Sequence, residues 1–129
     1  MNDPAPRALP RAADAQGPRP AVPAHLSARS KRLFRDITGR YGGRNGLETH
    51  RLELLRMALE AIDRATDARI ILERDGLMLE GRSGPRLHPA ANLERDSRLA
   101  AARLLREAGF DLPDPDAARP PSRYTPGRR

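Results

Sequence analysis

The chain has 129 residues, with 24 basic and 17 acidic side chains and a net charge of +7 at neutral pH. It contains no cysteine, so disulfides, thiolate metal sites and thiol nucleophiles are excluded. No apolar run approaches the roughly 18 residues that a membrane-spanning helix needs, and the proline-broken start lacks the apolar core of a signal peptide. We therefore expect a single domain in a cytoplasmic protein that does not enter a membrane.

Both ends of the chain are rich in proline. Six of the 13 prolines lie within residues 1–25, and five more follow Leu112. Such a composition disfavours a packed core. We predict a disordered Pro/Arg-rich tail over residues 1–25, a helical domain over residues 26–112 and a disordered basic tail over residues 113–129.

The first predicted helix is amphipathic and strongly basic. Ser27 is a favourable N-cap, Leu33, Ile37 and Tyr41 recur every four residues, and Gly42-Gly43 provides a stop. The basic residues around these positions form either a solvated helix surface or the footprint of a polyanion-binding protein. The candidate DNA contacts are Arg29, Lys31, Arg32, Arg35, Arg40 and Arg44.

The longest stretch without glycine or proline, residues 47–74, predicts a central helix about 40 Å long at 1.5 Å per residue. Its apolar residues follow two lines, which is more than the single stripe of a surface helix. We interpret this as packing inside the domain, against other subunits, or both. The residues predicted to support oligomerisation are Leu54, Leu55, Met57, Ala61, Ile62, Ala68 and Ile71.

A short extended arm or β-hairpin is predicted between Leu77 and Leu87, where glycines and a proline interrupt two apolar stretches. Pro89 then opens a third helix, and Gly109 has the position of a glycine just after a helix end. The predicted fold class is mainly all-α, with a three-helix core, a long central helix and an arm or hairpin between helices two and three.

The sequence offers no catalytic or metal-binding pattern. His25, His50 and His88 are far apart, and no phosphate-binding NTPase loop or serine nucleophile motif is present. We interpret His88 as a structural residue at the start of the third helix. We expect no enzyme activity, no cofactor and no metal.

Within a match that covers about residues 25–120, the most specific motifs occur in a characteristic order. They are Asp75-Gly76, Gly81, Gly84-Pro85, His88-Pro89-Ala90 and Glu94-Arg95. In this order they resemble a family of phage terminase small subunits, the His-Pro-Ala-containing type of cos-type tailed phages and prophages. The chain departs from the family at Ala108-Gly109-Phe110, where Leu-Gly-Leu is usual, but it keeps the glycine and an apolar residue.

The resemblance implies a factor for viral genome packaging. Such subunits assemble into homo-oligomeric rings, bind double-stranded viral DNA at the packaging-initiation site and bring it to the large subunit, which holds the ATPase and nuclease. It implies action in the host-cell cytoplasm. The basic C-terminus is a candidate for binding the large subunit, for added DNA affinity, or simply a solvated tail. Its arginines are Arg119, Arg123, Arg128 and Arg129.

Two other classes of protein remain compatible with the residues. One is a small helical adaptor that binds only protein, in which the arginines reflect base composition. The other is a small helical DNA-binding regulator that recognises a short operator as a dimer. Steep salt dependence of DNA binding distinguishes the DNA-binding proteins from the adaptor.

Overall fold

A computed structural model describes residues 19–110 of the chain. These residues form three α-helices and one antiparallel hairpin. The elements in chain order are α1 (Ala28–Tyr41), α2 (Thr49–Asp75), β1 (Met78–Gly81), β2 (Gly84–Leu87) and α3 (Pro89–Glu107). The predicted fold class is confirmed, including the long central helix and the hairpin between α2 and α3.

The ends of α1 lie where its capping residues predict. The Ser27 side chain accepts a hydrogen bond from the backbone N–H of Ser30 at 3.1 Å. At the other end, the Gly42 N–H donates to the Thr38 carbonyl at 3.0 Å. Phe34 is buried on the inner face of the helix, so α1 presents one face to α2 and the other to solvent.

The core lies along α2, because both other helices pack on it. Leu55 and Leu59 are fully buried and form a cluster with Leu26 and Phe34. Buried alanines also recur along α2 and α3. Since short side chains allow two helix axes to approach closely, these alanines let the domain form a core without tryptophan. They are Ala58, Ala61, Ala65, Ala68, Ala90, Ala101 and Ala108.

A carboxylate of α2 fixes the start of α1. Asp63 accepts hydrogen bonds from the Ser27 N–H at 2.8 Å, the Ser27 hydroxyl at 2.6 Å and the Ser30 hydroxyl at 2.5 Å. Burial alone would raise the pKa of Asp63, but these hydrogen bonds outweigh it and hold the pKa below its ordinary value of 3.8. A negative charge is also favourable at a helix N-terminus. The contact therefore fixes the position of α1 on α2.

The hairpin connects α2 to α3. Gly76, with φ of 81°, ends α2, and Gly84, with φ of 105°, begins β2; both conformations favour glycine. The register pairs Met78 with Leu87 and Gly81 with Gly84. Met78 and Leu87 are about half exposed, so this face of the hairpin is only partly covered by the chain.

His88 has the structural role predicted for it. Its Nδ1 accepts a hydrogen bond from the Ala90 N–H at 3.0 Å, and its Nε2 lies 3.2 Å from a carboxylate oxygen of Asp75. Because Nδ1 is the acceptor, the neutral ring carries its proton on Nε2 and donates it to Asp75. The hydrogen bond from Arg74, followed by that from His88, lowers the pKa of Asp75 to about 2. The pair joins the end of α2 to the start of α3.

A second junction joins the opposite ends of the helices. Arg51, in the first turn of α2, donates to the Ala108 carbonyl at 2.8 Å, and its guanidinium lies 4.9 Å from the centre of the Phe110 ring. The Tyr41 hydroxyl donates to the Phe110 carbonyl, also at 2.8 Å. Gly109 has φ of 78°, as its predicted position after the helix end requires. This junction places Phe110 between α1 and α2.

The predicted N-terminal tail extends too far into the domain. Val22 packs against the core cluster, and a ring nitrogen of His25 lies 2.7 Å from Glu60. Proline content alone missed this, because an apolar side chain can pack on a helix without regular secondary structure. The rest of the predicted tails, residues 1–18 and 113–129, lies outside the described residues, as do residues 111 and 112 of the predicted domain.

Replacing Asp63 with alanine should destabilise the fold measurably. The change leaves the Ser27 and Ser30 donors without their shared acceptor, and hydrogen bonds to a charged group contribute roughly 1.5–3 kcal/mol. We expect the free energy of unfolding, measured by urea denaturation, to fall by about 2 kcal/mol. Asp67→Ala is the matched control, because Asp67 is exposed on the same helix and has no polar partner within residues 19–110. Equal losses in the two variants would contradict the role of Asp63.

Candidate nucleic-acid interface

The outward surface of α1 is basic along its length. Buried Ser30 and Phe34 define the inner face, and at 3.6 residues per turn Arg32 lies on the opposite side, flanked by Arg29 and Arg35. Asp36 is the one acidic residue of the helix. We call this surface the basic face. It consists of Arg29, Lys31, Arg32, Arg35 and Arg40, of which Lys31 is partly buried and the others are exposed.

The basic face differs from the other helices in how its charges are balanced. On α2, Arg56 bonds Glu53 and Glu60 at 2.7 and 2.6 Å, and on α3 Arg103 bonds Glu107 at 2.8 Å. Within the described part of the chain, no residue of the basic face forms an ion pair with a carboxylate. Among the described residues, Arg40 interacts with an aromatic ring, its guanidinium carbon lying 5.7 Å from the centre of Tyr41. The positive charge of α1 is therefore available to an external anion.

Arg44 extends the basic surface beyond the helix. It lies in the turn between α1 and α2, where Gly43 and Gly46 have φ of 54° and 71°. The Arg44 side chain is exposed. The structure thus places all six predicted DNA contacts on α1 or in the turn that follows it.

The backbone at the start of α1 is already occupied. Helix N-termini are ready-made phosphate sites, but here the Asp63 carboxylate accepts the Ser27 N–H, and the Ser27 side chain accepts the Ser30 N–H. An anion that approaches this end would meet a negative charge. Contact with a polyanion must therefore use the side chains of the basic face rather than the helix terminus.

The structure corrects part of the predicted oligomerisation surface. Leu55, Ala61 and Ala68 are buried within the single chain at 0%, 3% and 1% exposure, so they cannot contact another subunit. Both apolar lines of α2 exist, but α1 and α3 cover most of them. Sequence periodicity does not distinguish packing within a chain from packing between chains. Of the other predicted residues, Met57 is 44% exposed, and Leu54, Ile62 and Ile71 are partly buried.

The remaining predicted sites can be stated briefly. The C-terminal arginines at positions 119, 123, 128 and 129 lie outside the described residues. Across residues 19–110, no group of three or more histidine or acidic side chains is placed to hold a metal ion. In the same range, no helix is long and apolar enough to span a bilayer.

Sequence reasoning missed two features that shape the interface. The first is the contact of Asp63 with Ser27 and Ser30, two residues that precede it by more than 30 positions in the chain. The second is a groove between α1 and α3, lined in part by Arg29 and Arg98. A local signal existed for the first, since Asp63 follows Leu55 and Leu59 at four-residue spacing and so places a carboxylate in line with apolar residues of α2. None existed for the groove, because it depends on how the three helices pack.

No protein-family model, curated protein or solved structure matches this chain.

Proposed function

We propose that this protein is a DNA-binding terminase small subunit of a phage or prophage. The observation that carries the proposal is the basic face of α1, whose side chains have no carboxylate partner among the described residues. The motif order between Asp75 and Glu94 supports this choice among DNA-binding proteins. In this proposal the chain binds viral DNA at the packaging-initiation site in the host-cell cytoplasm.

The geometry of the basic face suits the DNA backbone. Arg29 and Arg40 are separated along α1 by about 16 Å at 1.5 Å per residue, which is enough to contact several phosphates along one strand. A single helix also fits the major groove, which is about 12 Å wide. Phosphate contacts position a protein on DNA without reading its sequence. We assign this positioning role to the six basic residues, including Arg44.

The proposal gives the chemistry of packaging to a partner. The large terminase subunit would supply ATP hydrolysis and DNA cleavage, while this chain would bring the DNA to it. The C-terminal arginines at positions 119, 123, 128 and 129 are the proposed contact with that subunit. A homo-oligomeric ring, with Met57 at the contact between copies, would present several basic faces to one DNA molecule.

The alternative functions make different predictions. A protein-only adaptor does not require a set of unpaired arginines along one helix. The ion-paired surfaces of α2 and α3 are compatible with such an adaptor. A small helical regulator would share the basic face but would bind a short operator as a dimer. The number of subunits in solution therefore separates the regulator from the packaging subunit, and DNA affinity separates both from the adaptor.

Neutralising the centre of the basic face should weaken DNA binding. For Arg32→Gln/Arg35→Gln we expect affinity for a labelled DNA duplex, measured by fluorescence anisotropy in about 0.1 M salt, to fall roughly 10- to 50-fold. The estimate assumes that each arginine neutralises one phosphate and that bound counterions are no longer released. Both side chains are exposed and unpaired within the described chain, so folding should be unaffected.

The matched control for that experiment is Arg64→Gln/Arg106→Gln. It removes the same charge from exposed arginines of α2 and α3, which also lack ion-pair partners within residues 19–110. We expect less than about a threefold change, the part due to net charge alone. If both double variants lose affinity equally, DNA recognition by the basic face is contradicted.

Solution mass tests the ring. Light scattering at low and moderate salt should show an assembly of many subunits, and Met57→Glu should reduce that mass because it places a charge in an apolar contact. Ile70→Glu is the control, since Ile70 is a 58% exposed apolar residue of the same helix outside the predicted set. A monomer at all concentrations would contradict the ring and leave the DNA-binding assignment to be judged by the affinity measurements.

A further inference from the structure

A groove separates α1 from α3 and runs over α2. One stretch, of about 480 Å³, is lined by residues of all three helices, from Arg29 to Ala102. A second stretch, of about 420 Å³, continues between Asp36 and Phe110. Ala102, an exposed residue of α3, lines both stretches. The two stretches therefore meet at Ala102 and form one groove.

The floor of the groove is apolar. It is formed by three partly buried residues that pack against the core, Ile37, Ile62 and Leu105. One side of each faces the groove. Ala65 and Ala101 line it with short side chains, which leaves room above α2. A floor of this kind gains free energy when another apolar surface covers it.

The rim of the groove is mainly basic. Arg69 and Arg98 both approach the carboxylate of Glu94, at 3.7 and 3.5 Å, and Arg69 also approaches that of Glu73 at 3.5 Å. These two carboxylates balance the two arginines on the α3 side of the rim. Arg29 and Arg40 also line the groove, and neither has an ion-pair partner among the residues described. Asp36, an exposed carboxylate of the same helix, lines it as well, so the α1 side of the rim has two cations against one carboxylate and is net positive. The complementary ligand is therefore apolar on one side and acidic on the flank that faces α1.

We propose that this groove binds an acidic amphipathic helix of a partner protein. Between Glu94 and Leu105 the groove follows α3 for about 16 Å, or roughly three helical turns. This length suits the apolar i, i+3, i+4 and i+7 residues of a helix lying in a groove. The acidic side chains on the α1-facing flank of the helix would then reach Arg29 and Arg40.

DNA is a poorer occupant of this groove than a peptide. The phosphate backbone offers no apolar surface to cover Ile62 and Leu105, and the outermost arginines, Arg32 and Arg35, do not line the two stretches described above. The proposal therefore adds a second binding surface to the basic face and does not depend on the DNA-binding assignment. The two surfaces share Arg29 and Arg40, so their ligands would compete in part.

The test uses the full chain and a labelled helical peptide of about 14 residues, with leucines at the spacing above and glutamates on one flank. Ala102→Tyr fills the middle of the groove from an exposed position, so the fold should be retained. We expect it to weaken peptide binding by about tenfold or more and to change DNA affinity little. Ala100→Tyr is the matched control, because Ala100 is also exposed on α3 but does not line the groove.

Three further comparisons make the result decisive. Replacing the glutamates of the peptide by lysines, or its leucines by alanines, should abolish binding to the wild-type chain. Absence of binding by the glutamate peptide, or equal loss in Ala102→Tyr and Ala100→Tyr, would overturn the proposal. The chain has three acidic residues shortly after α3, at positions 111, 114 and 116. Peptide binding that appears only in Asp111→Asn/Asp114→Asn/Asp116→Asn would also overturn the proposal, because these residues, rather than a partner protein, would then be the occupant. Ala102→Tyr that weakens DNA binding as strongly as peptide binding would identify the groove as a DNA site.

Discussion

The carboxylate of Asp63 determines how α1 lies on the domain, because it binds the backbone and side chain at the start of that helix. Three donors from Ser27 and Ser30 converge on it, and His25, just before the helix, adds a contact with Glu60 of α2 at 2.7 Å. With the inner face fixed by Asp63 and Phe34, the basic residues of α1 must face solvent. The same contact also removes the helix N-terminus as an anion site. The Asp63 contact thus explains two properties of the basic face: its residues point to solvent, and they must bind an anion through side chains rather than backbone N–H groups.

The helices differ in how far their arginines are paired with carboxylates. On α2 and α3, many arginines are paired with carboxylates one helical turn away, and such surface pairs add little stability but leave little net field. On α1, Asp36 lies one helical turn from Arg32 and Arg40 but forms an ion pair with neither in the described chain, so the arginines of this helix repel one another. This repulsion disfavours the folded state of the isolated chain, and the negative charge of a bound polyanion would offset it. The proposed binding of nucleic acid rests on this difference between the helices rather than on the total charge of the chain.

Local signals were enough to predict the helices, the hairpin and the ends of α1 and α3, because caps such as Ser27, Pro89 and Gly109 act within a few residues. The positions of the six basic residues followed from the same helical spacing. What failed required long-range packing. Leu55, Ala61 and Ala68 have the spacing of an interface and are buried inside the chain, and Val22 packs despite its proline-rich surroundings. The groove between α1 and α3 and the Asp75–His88 pair also exist only once α2 and α3 lie side by side.

The central claim is that unpaired cations of α1 bind DNA phosphates, and the salt dependence of DNA affinity tests it most directly. Each phosphate contact releases counterions, so the logarithm of the association constant should fall with the logarithm of salt concentration by about 0.9 per contact. The account predicts a slope of about −3 or steeper for the full chain, and a slope shallower by about 1.8 for Arg32→Gln/Arg35→Gln. A wild-type slope near zero, or an unchanged slope in that variant, would contradict it.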